Sequence, residues 1–358
     1  MDLNSSIVFW IKLMKVSIGT NIKEGPWGGG NLFAINLREH LLSKGHQVIN
    51  NLEDEDIDII LITEPRKTSE SSAFTHLDVK NYLNYINPST LVAHRINECD
   101  ERKNTNFVNK YLIEANKIAD YTIFVSNWLK NLYTVQGINR DNNYVILAGA
   151  NNKIFNSEGK SVWDGNSKLK IVTHHWGANW NKGFEIYQKL DDLLGIDMWK
   201  NKISFTYIGN LPKKFQFKNS KHISPMSGLE LAKEIKKHHI YITGSLNEPS
   251  GNHHIEASQC GLPVMYINSG GVKEYCNNFG IEYEIFNFEE MLLDVLSNYE
   301  KYSNRMSKYP FNSDLMSEDF LNLFTEMIKN KKTILLERDI DKGSVIGEKI
   351  YKLKQILK

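Results

Sequence analysis

From Met14 onward the chain alternates short β-like runs with amphipathic stretches of helical spacing, and it does so in two rounds. Parallel neighbours cannot be joined by tight turns, so strands separated by whole helices imply βαβ units and parallel sheets. In the first round Lys15 to Gly19, His46 to Ile49, Ile57 to Ile62, Leu91 to His94, Tyr121 to Val125 and Tyr144 to Leu147 read as strands. One helix carries Leu32, Ile35, Leu37, Leu41 and Leu42 on its apolar side and stops at Gly45. A second covers 105–118, and a third runs from a Ser126-Asn127 cap to about Gln136. Arg95 to Lys103 reads as a polar run that closes a strand.

The pattern restarts with strands Lys170 to Thr173, Ile203 to Ile208, Ile240 to Thr243 and Pro263 to Ile267. Helices over 183–194, 228–237, 252–260, 287–302 and 314–329 separate or follow them. The reading is an α/β chain of two doubly wound domains facing across a cleft. Residues 1–13 form an extension, 14–150 the first domain and 151–168 a linker rich in Asn, Gly, Ser and Lys. The second domain covers 169–312, a helix at 313–330 returns to the first, and 331–358 is a basic tail. A length of 358 residues is more than one core comfortably supports and suits two. Sheets of this kind bind ligands outside the carboxyl ends of their strands.

Charge narrows the partners. Lysine plus arginine total 43 against 42 acidic residues, a net charge of +1, which argues against nucleic acid because phosphate neutralisation needs a basic excess. Cys99, Cys260 and Cys276 are an odd set with no framework, so a reducing compartment is expected, and the lack of a recognisable targeting signal makes the cytoplasm the expected setting. No run approaches the roughly 18 apolar residues of a membrane helix. Nine Lys/Arg against four Asp/Glu from Lys329 onward, with Ile346, Ile350, Leu353 and Leu357 at helical spacing, give the tail two readings. It is a terminal helix docked on the body, or a basic amphipathic face making peripheral contact with the inner face of an anionic membrane.

The chemistry concentrates in Glu248-Pro249-Ser250-Gly251-Asn252-His253-His254-Ile255-Glu256, between a buried strand and a helix. Gly251 lets a backbone come close to a ligand, and Asn252 reads as an N-cap in front of free N–H groups that suit an anion. One carboxylate for sugar hydroxyls, helix N–H groups for a diphosphate and a second carboxylate for ribose hydroxyls make a chemically coherent set. The paired histidines His174-His175, His238-His239 and His253-His254 lack the spacing of a helical zinc site, so neither a metal nor another cofactor is expected.

This segment, continued by Ala257-Ser258-Gln259-Cys260-Gly261-Leu262-Pro263-Val264, resembles the E-x7-E signature of the GT4 family of retaining glycosyltransferases. Gly28-Gly29-Gly30 is similar to that family's acceptor-side loop, His94 to its cleft histidine, and Ser126-Asn127-Trp128 to its usual helix start. Lys182-Gly183 and the turn Ser269-Gly270-Gly271 with Glu274 also fit, so the resemblance spans about 14–330. It implies a GT-B fold, a nucleotide-sugar donor (UDP- or GDP-linked) and a glycan or lipid-linked acceptor, in polysaccharide or glycoconjugate synthesis. It implies catalytic roles for Lys182, Glu248 and His94, and donor binding by Gly251, Asn252, His253 and Glu256. The family's arginine shortly before the lysine is missing: His174-His175-Trp176-Gly177 stands there, so His175 or another basic residue replaces it, or phosphate binding is weaker. A nucleotide-sugar epimerase, a phosphorylase and a non-catalytic carbohydrate-binding module are the competing readings. Glu53, about 20 residues beyond the glycines, keeps a dinucleotide oxidoreductase as a minor one.

Overall fold

The computed structural model describes residues 13–23 and 28–340. The readings for 1–12 and for 341–358, including Ile346, Ile350, Leu353 and Leu357, lie outside the described residues. The first round folds as β1 (Lys15–Ile18), α1 (Gly29–Ser43), β2 (Gln47–Ile49), β3 (Ile59–Ile62), α2 (His76–Tyr85), β4 (Leu91–Ile96), α3 (Asp100–Lys103), α4 (Val108–Asn116), β5 (Tyr121–Phe124), α5 (Asn127–Val135) and β6 (Asn143–Val145). The second folds as β7 (Leu169–His175), α6 (Phe184–Leu193), α7 (Asp197–Lys200), β8 (Ile203–Gly209), β9 (Lys221–Ile223), α8 (Gly228–Ile235), β10 (Ile240–Thr243), α9 (Asn252–Gln259), β11 (Val264–Tyr266), α10 (Val272–Cys276) and β12 (Ile281–Glu282). Helices α11 (Phe288–Arg305), α12 (Ser313–Lys329) and α13 (Lys331–Glu337) follow.

Among the described residues these strands make two six-stranded sheets, ordered β2-β1-β3-β4-β5-β6 and β12-β11-β10-β7-β8-β9, with every paired strand parallel. Strands such as β3, β4 and β5 are buried at every position, as sheets covered by helices on both faces require. Helix α12 leaves the second sheet and packs on α1, where Phe320 meets Phe33 at 5.1 Å between ring centroids. That contact changes the expected face of α1. Phe33, Ala34, Leu37 and Leu41 are buried, whereas Leu42 is exposed, because α12 and the sheet together define which side is covered.

Two local expectations are corrected. The expected helix over 105–118 begins only at Val108. Ahead of it, the supposed polar run contains the end of β4 and the single turn α3, separated from α4 by Asn104 in the left-handed region (φ 54°). Asp100 makes this arrangement: its carboxylate accepts hydrogen bonds from the Thr105 hydroxyl and from the backbone N–H groups of Phe107, Val108 and Asn109. A short polar turn thus caps the following helix and projects its own side chains elsewhere. The second correction is at Asn252, which is the first residue of α9 and not its cap. Gly251 takes the cap position at φ 78°, a conformation open to glycine and costly for a residue with a β-carbon.

Candidate functional site

In the second sheet the chain leaves β7 toward β8 on one side and leaves β10 toward β11 on the other. The crevice between the carboxyl ends of β7 and β10 is therefore the place where a doubly wound sheet accepts a ligand. His174 and His175 end β7, and the loop after Thr243 at the end of β10 carries Glu248 into α9. The Glu248 backbone is clamped by the turn at 269–271: Gly271 N–H donates to Glu248 O at 2.8 Å. Gly270 sits at φ 73°, and a β-carbon there would lie 2.3 Å from that same oxygen, so only glycine fits.

The Glu248 carboxylate is 4% exposed and holds two cations. Lys182 Nζ lies 2.6 Å from Oε2, and Arg102 Nε lies 2.9 Å from Oε1. Lys182 belongs to the short 3-10 turn Trp180–Lys182 before α6, which is tied to the Glu248 loop by Leu246 N–H donating to Asn181 O at 2.8 Å. Arg102 comes from α3, on the first sheet's side, and also meets Glu98 at 2.6 Å. Burial pushes the Glu248 carboxyl up, but Arg102 and Lys182 outweigh it and hold the group down at about 2. Burial lowers the Lys182 ammonium, opposed by Glu248. The attraction of Glu248 keeps Arg102 firmly charged.

Glu256 is also buried, in the second turn of α9, and its Oε2 lies 2.9 Å from His174 Nε2. His253 Nε2 is 2.9 Å from the Thr243 hydroxyl, and His175 Nε2 is 2.7 Å from the Tyr187 hydroxyl. His254 is fully buried, and among the described residues neither ring nitrogen has a hydrogen-bond partner. Burial drives His175 and His253 well below the ordinary histidine range and His254 down to about 3, so at neutral pH all three are uncharged. His175 therefore supplies no positive charge in place of the missing arginine. The second cation on Glu248 is Arg102, 80 residues upstream of Lys182. The stretch that contains it lacks hydrophobic periodicity, which is why its role was invisible. The legible hint was the pair Glu98 and Arg102, four residues apart.

The start of α9 has no side-chain cap and no acidic residue in its first turn, an arrangement that suits an anion. The start of α1 is alike in both respects. The two meet across the cleft: a β-carbon on Gly29 would lie 2.9 Å from Asn252 Cγ, while one on Gly28 or Gly30 would touch no described atom within 4 Å. Other bonds cross nearby. Glu274 Oε2 and Oε1 accept from the backbone N–H groups of Asn127 and Trp128, each at 2.8 Å, at the start of α5. The structure thus brings together Lys182, Glu248, Gly251, Asn252, His253 and Glu256 and sets Gly28, Gly29 and Gly30 opposite them. His94 stands apart. It is fully buried, its Nδ1 lies 3.0 Å from Asn116 Oδ1, and burial lowers it to about 4. Among the described residues no group of three or more His, Cys, Asp or Glu is placed to hold a metal ion. No described helix is long and apolar enough to cross a membrane. The three cysteines are buried free thiols.

No family model and no curated protein sequence matches the chain. Solved structures do. A glycosyltransferase from Rickettsia africae aligns with a TM-score of 0.63 at 14% identity over 89% of this chain and 100% of that one. Anabaena Alr3699/HepE, crystallised with UDP, aligns with a TM-score of 0.65 at 12% identity over 88% and 100%. Sucrose-phosphate synthase from Thermosynechococcus elongatus gives 0.60 at 13% over 89% and 100%. Two facing parallel sheets, joined by a helix that returns from the second to the first, give this chain the GT-B fold found in glycosyltransferases.

Proposed function

We propose that this chain is a retaining glycosyltransferase of GT4 type, which moves a sugar from a UDP- or GDP-linked donor to a glycan or lipid-linked acceptor. The observation that carries the reading is the buried Glu248 carboxylate, held ionised between Lys182 and Arg102 beside the uncapped start of α9. Glu248 accepts hydrogen bonds from donor-sugar hydroxyls. Glu256 does the same for ribose hydroxyls, and the N–H groups of Asn252 and His253 meet the diphosphate, with Gly251 allowing its approach. The acceptor oxygen bonds to the anomeric carbon as the bond from that carbon to the diphosphate breaks. The acceptor's proton passes to the departing phosphate oxygen on the same face. Lys182 and Arg102 neutralise the charge that builds on the leaving group, so no metal is required for that task. His94 has no part in this step, since it is fully buried and turned toward Asn116. The Anabaena protein's UDP and UDP-glucose complexes are consistent with the donor class.

Release of nucleoside diphosphate from UDP- and GDP-sugars, across a panel of glycan and lipid-linked acceptors, tests the reading. Acceptor-dependent release with the anomeric configuration retained is expected. Isomerised donor without acceptor, or nucleotide binding with no sugar release from any donor, would replace it with the epimerase or the non-catalytic module.

A further inference from the structure

Arg95 is 4% exposed, yet among the described residues its side chain forms no ion pair and no hydrogen bond, and its buried Nη1 is without a partner. The other buried or half-buried arginines in ion pairs all meet carboxylates: Arg66 meets Glu64, Arg102 meets Glu98 and Glu248, and Arg338 meets Asp120. A guanidinium without a counter-ion is expensive to bury, and arginine does not escape by losing its proton. Here burial lowers it only to about 10.

Its position suggests what completes it. Arg95 follows Leu91 and Ala93 on the face of β4 that lies under α1, whereas His94 points to the opposite face, toward Asn116. The guanidinium carbon stands 3.9 Å from the centroid of Phe33, and Phe33 is in the second turn of α1. It therefore lies under the start of a fifteen-residue helix with no side-chain cap and no acidic residue in its first turn. Beside that start, the space at Gly28 and Gly30 holds no described atom within 4 Å of a β-carbon position. On its other side is Tyr275 of α10, whose hydroxyl is taken up by Val125 O and Ala148 N–H.

We propose that Arg95 and the N-terminus of α1 form a second anion site, separate from the Glu248 group, which holds a phosphate or carboxylate carried by the acceptor. The assignment of that anion to an acceptor rests on the glycosyltransferase reading; the anion site itself does not. The donor's diphosphate has its own cations in Lys182 and Arg102 and its own helix in α9. Arg95 sits on the acceptor side of the cleft, where no described carboxylate pairs with it.

Calorimetric titration of the full chain, saturated with UDP or GDP so that the donor side is filled, tests the site with inorganic phosphate in one arm and glucuronate in the other. The wild type binds at least one of them, and the arm that responds identifies a phosphorylated or an acidic-sugar acceptor. Arg95→Gln weakens that binding at least tenfold while nucleotide affinity changes less than twofold; Arg102→Gln does the reverse, and Arg95→Lys recovers part of the loss. Arg95→Met leaves the ligand-free Tm unchanged or raises it, since an unpaired buried charge is removed. Equal anion binding by the wild type and Arg95→Gln, no anion binding to the nucleotide-saturated wild type, or a loss of nucleotide affinity in Arg95→Gln matching that in Arg102→Gln would overturn the proposal. So would a collapse of the Tm in Arg95→Met, because a structural role would then account for the burial. If the wild type binds neither nucleotide but binds phosphate through Arg95, the donor reading fails and the anion site stands.

Discussion

The starts of α1 and α9 are two versions of one device placed opposite each other, and they differ in how much surrounds them. Around α9 everything is built in: a left-handed glycine at the cap, a clamped Glu248 backbone, and two cations on its carboxylate. Around α1, Gly28 and Gly30 face open space and the buried arginine has no carboxylate among the described residues. A helix start with free N–H groups becomes a defined site only when neighbouring elements fix what approaches it. In this molecule the second sheet's side is the more filled of the two and the first sheet's side the more open.

The largest test of that contrast is Glu248→Ala. It leaves Lys182 buried without its carboxylate and Arg102 with Glu98 alone, and should cost about 3–5 kcal/mol of stability, read as a fall in the denaturant midpoint. The pH dependence has a definite sign. The folded value of Glu248, about 2, lies below the ordinary 4.5, so the stability it confers is complete above the ordinary value and is lost as pH falls toward 2. The gap in stability between wild type and Glu248→Gln should therefore narrow on acidification from pH 5, and a gap independent of pH would mean the carboxylate is not held as described. Next in size is Lys182→Ala, expected to lower turnover by about 10²–10³-fold in a diphosphate-release assay. Glu256→Ala should raise the donor KM by the roughly 1.5–3 kcal/mol of a charged hydrogen bond, about ten- to hundredfold, with little change in turnover. The sharpest form of the comparison pairs two glycines. Gly270→Ala meets the Glu248 carbonyl and a left-handed backbone and should cost more than about 2 kcal/mol. Gly28→Ala should stay within about 0.5 kcal/mol. Equal costs would show that the two sides are alike after all.

Much of this was readable from the chain. The strands Ile59–Ile62, Leu91–Ile96 and Ile240–Thr243 announce themselves as short apolar runs, and α5, α8 and α9 begin within a residue of where caps and turns place them. The segment from Glu248 to Glu256 stood out by composition. Helix α2, the edge strands β9 and β12 and the turn α3 did not, because each is short or polar and is held by contacts distant in sequence. For α3 those contacts are the hydrogen bonds that Asp100 accepts from residues ahead of it. His94 and Arg95 show the same limit at single-residue scale. They are neighbours on one strand, yet alternation sends one toward Asn116 and the other beneath α1.

Local physics in the sequence determined that this chain forms parallel βαβ units, that they come in two sets, and that acidic side chains flank a helix start. Hydrophobic period, turn glycines and cap preferences act over a few residues and are written in the chain directly. Only the tertiary structure decided that the cation opposite Lys182 is Arg102, that His175, His253 and His254 are too buried to carry charge, and that Arg95 has no carboxylate partner among the described residues. Ion pairing and desolvation depend on which groups are brought within a few ångströms and on how much water remains, and both are set by the packing of the two halves against each other.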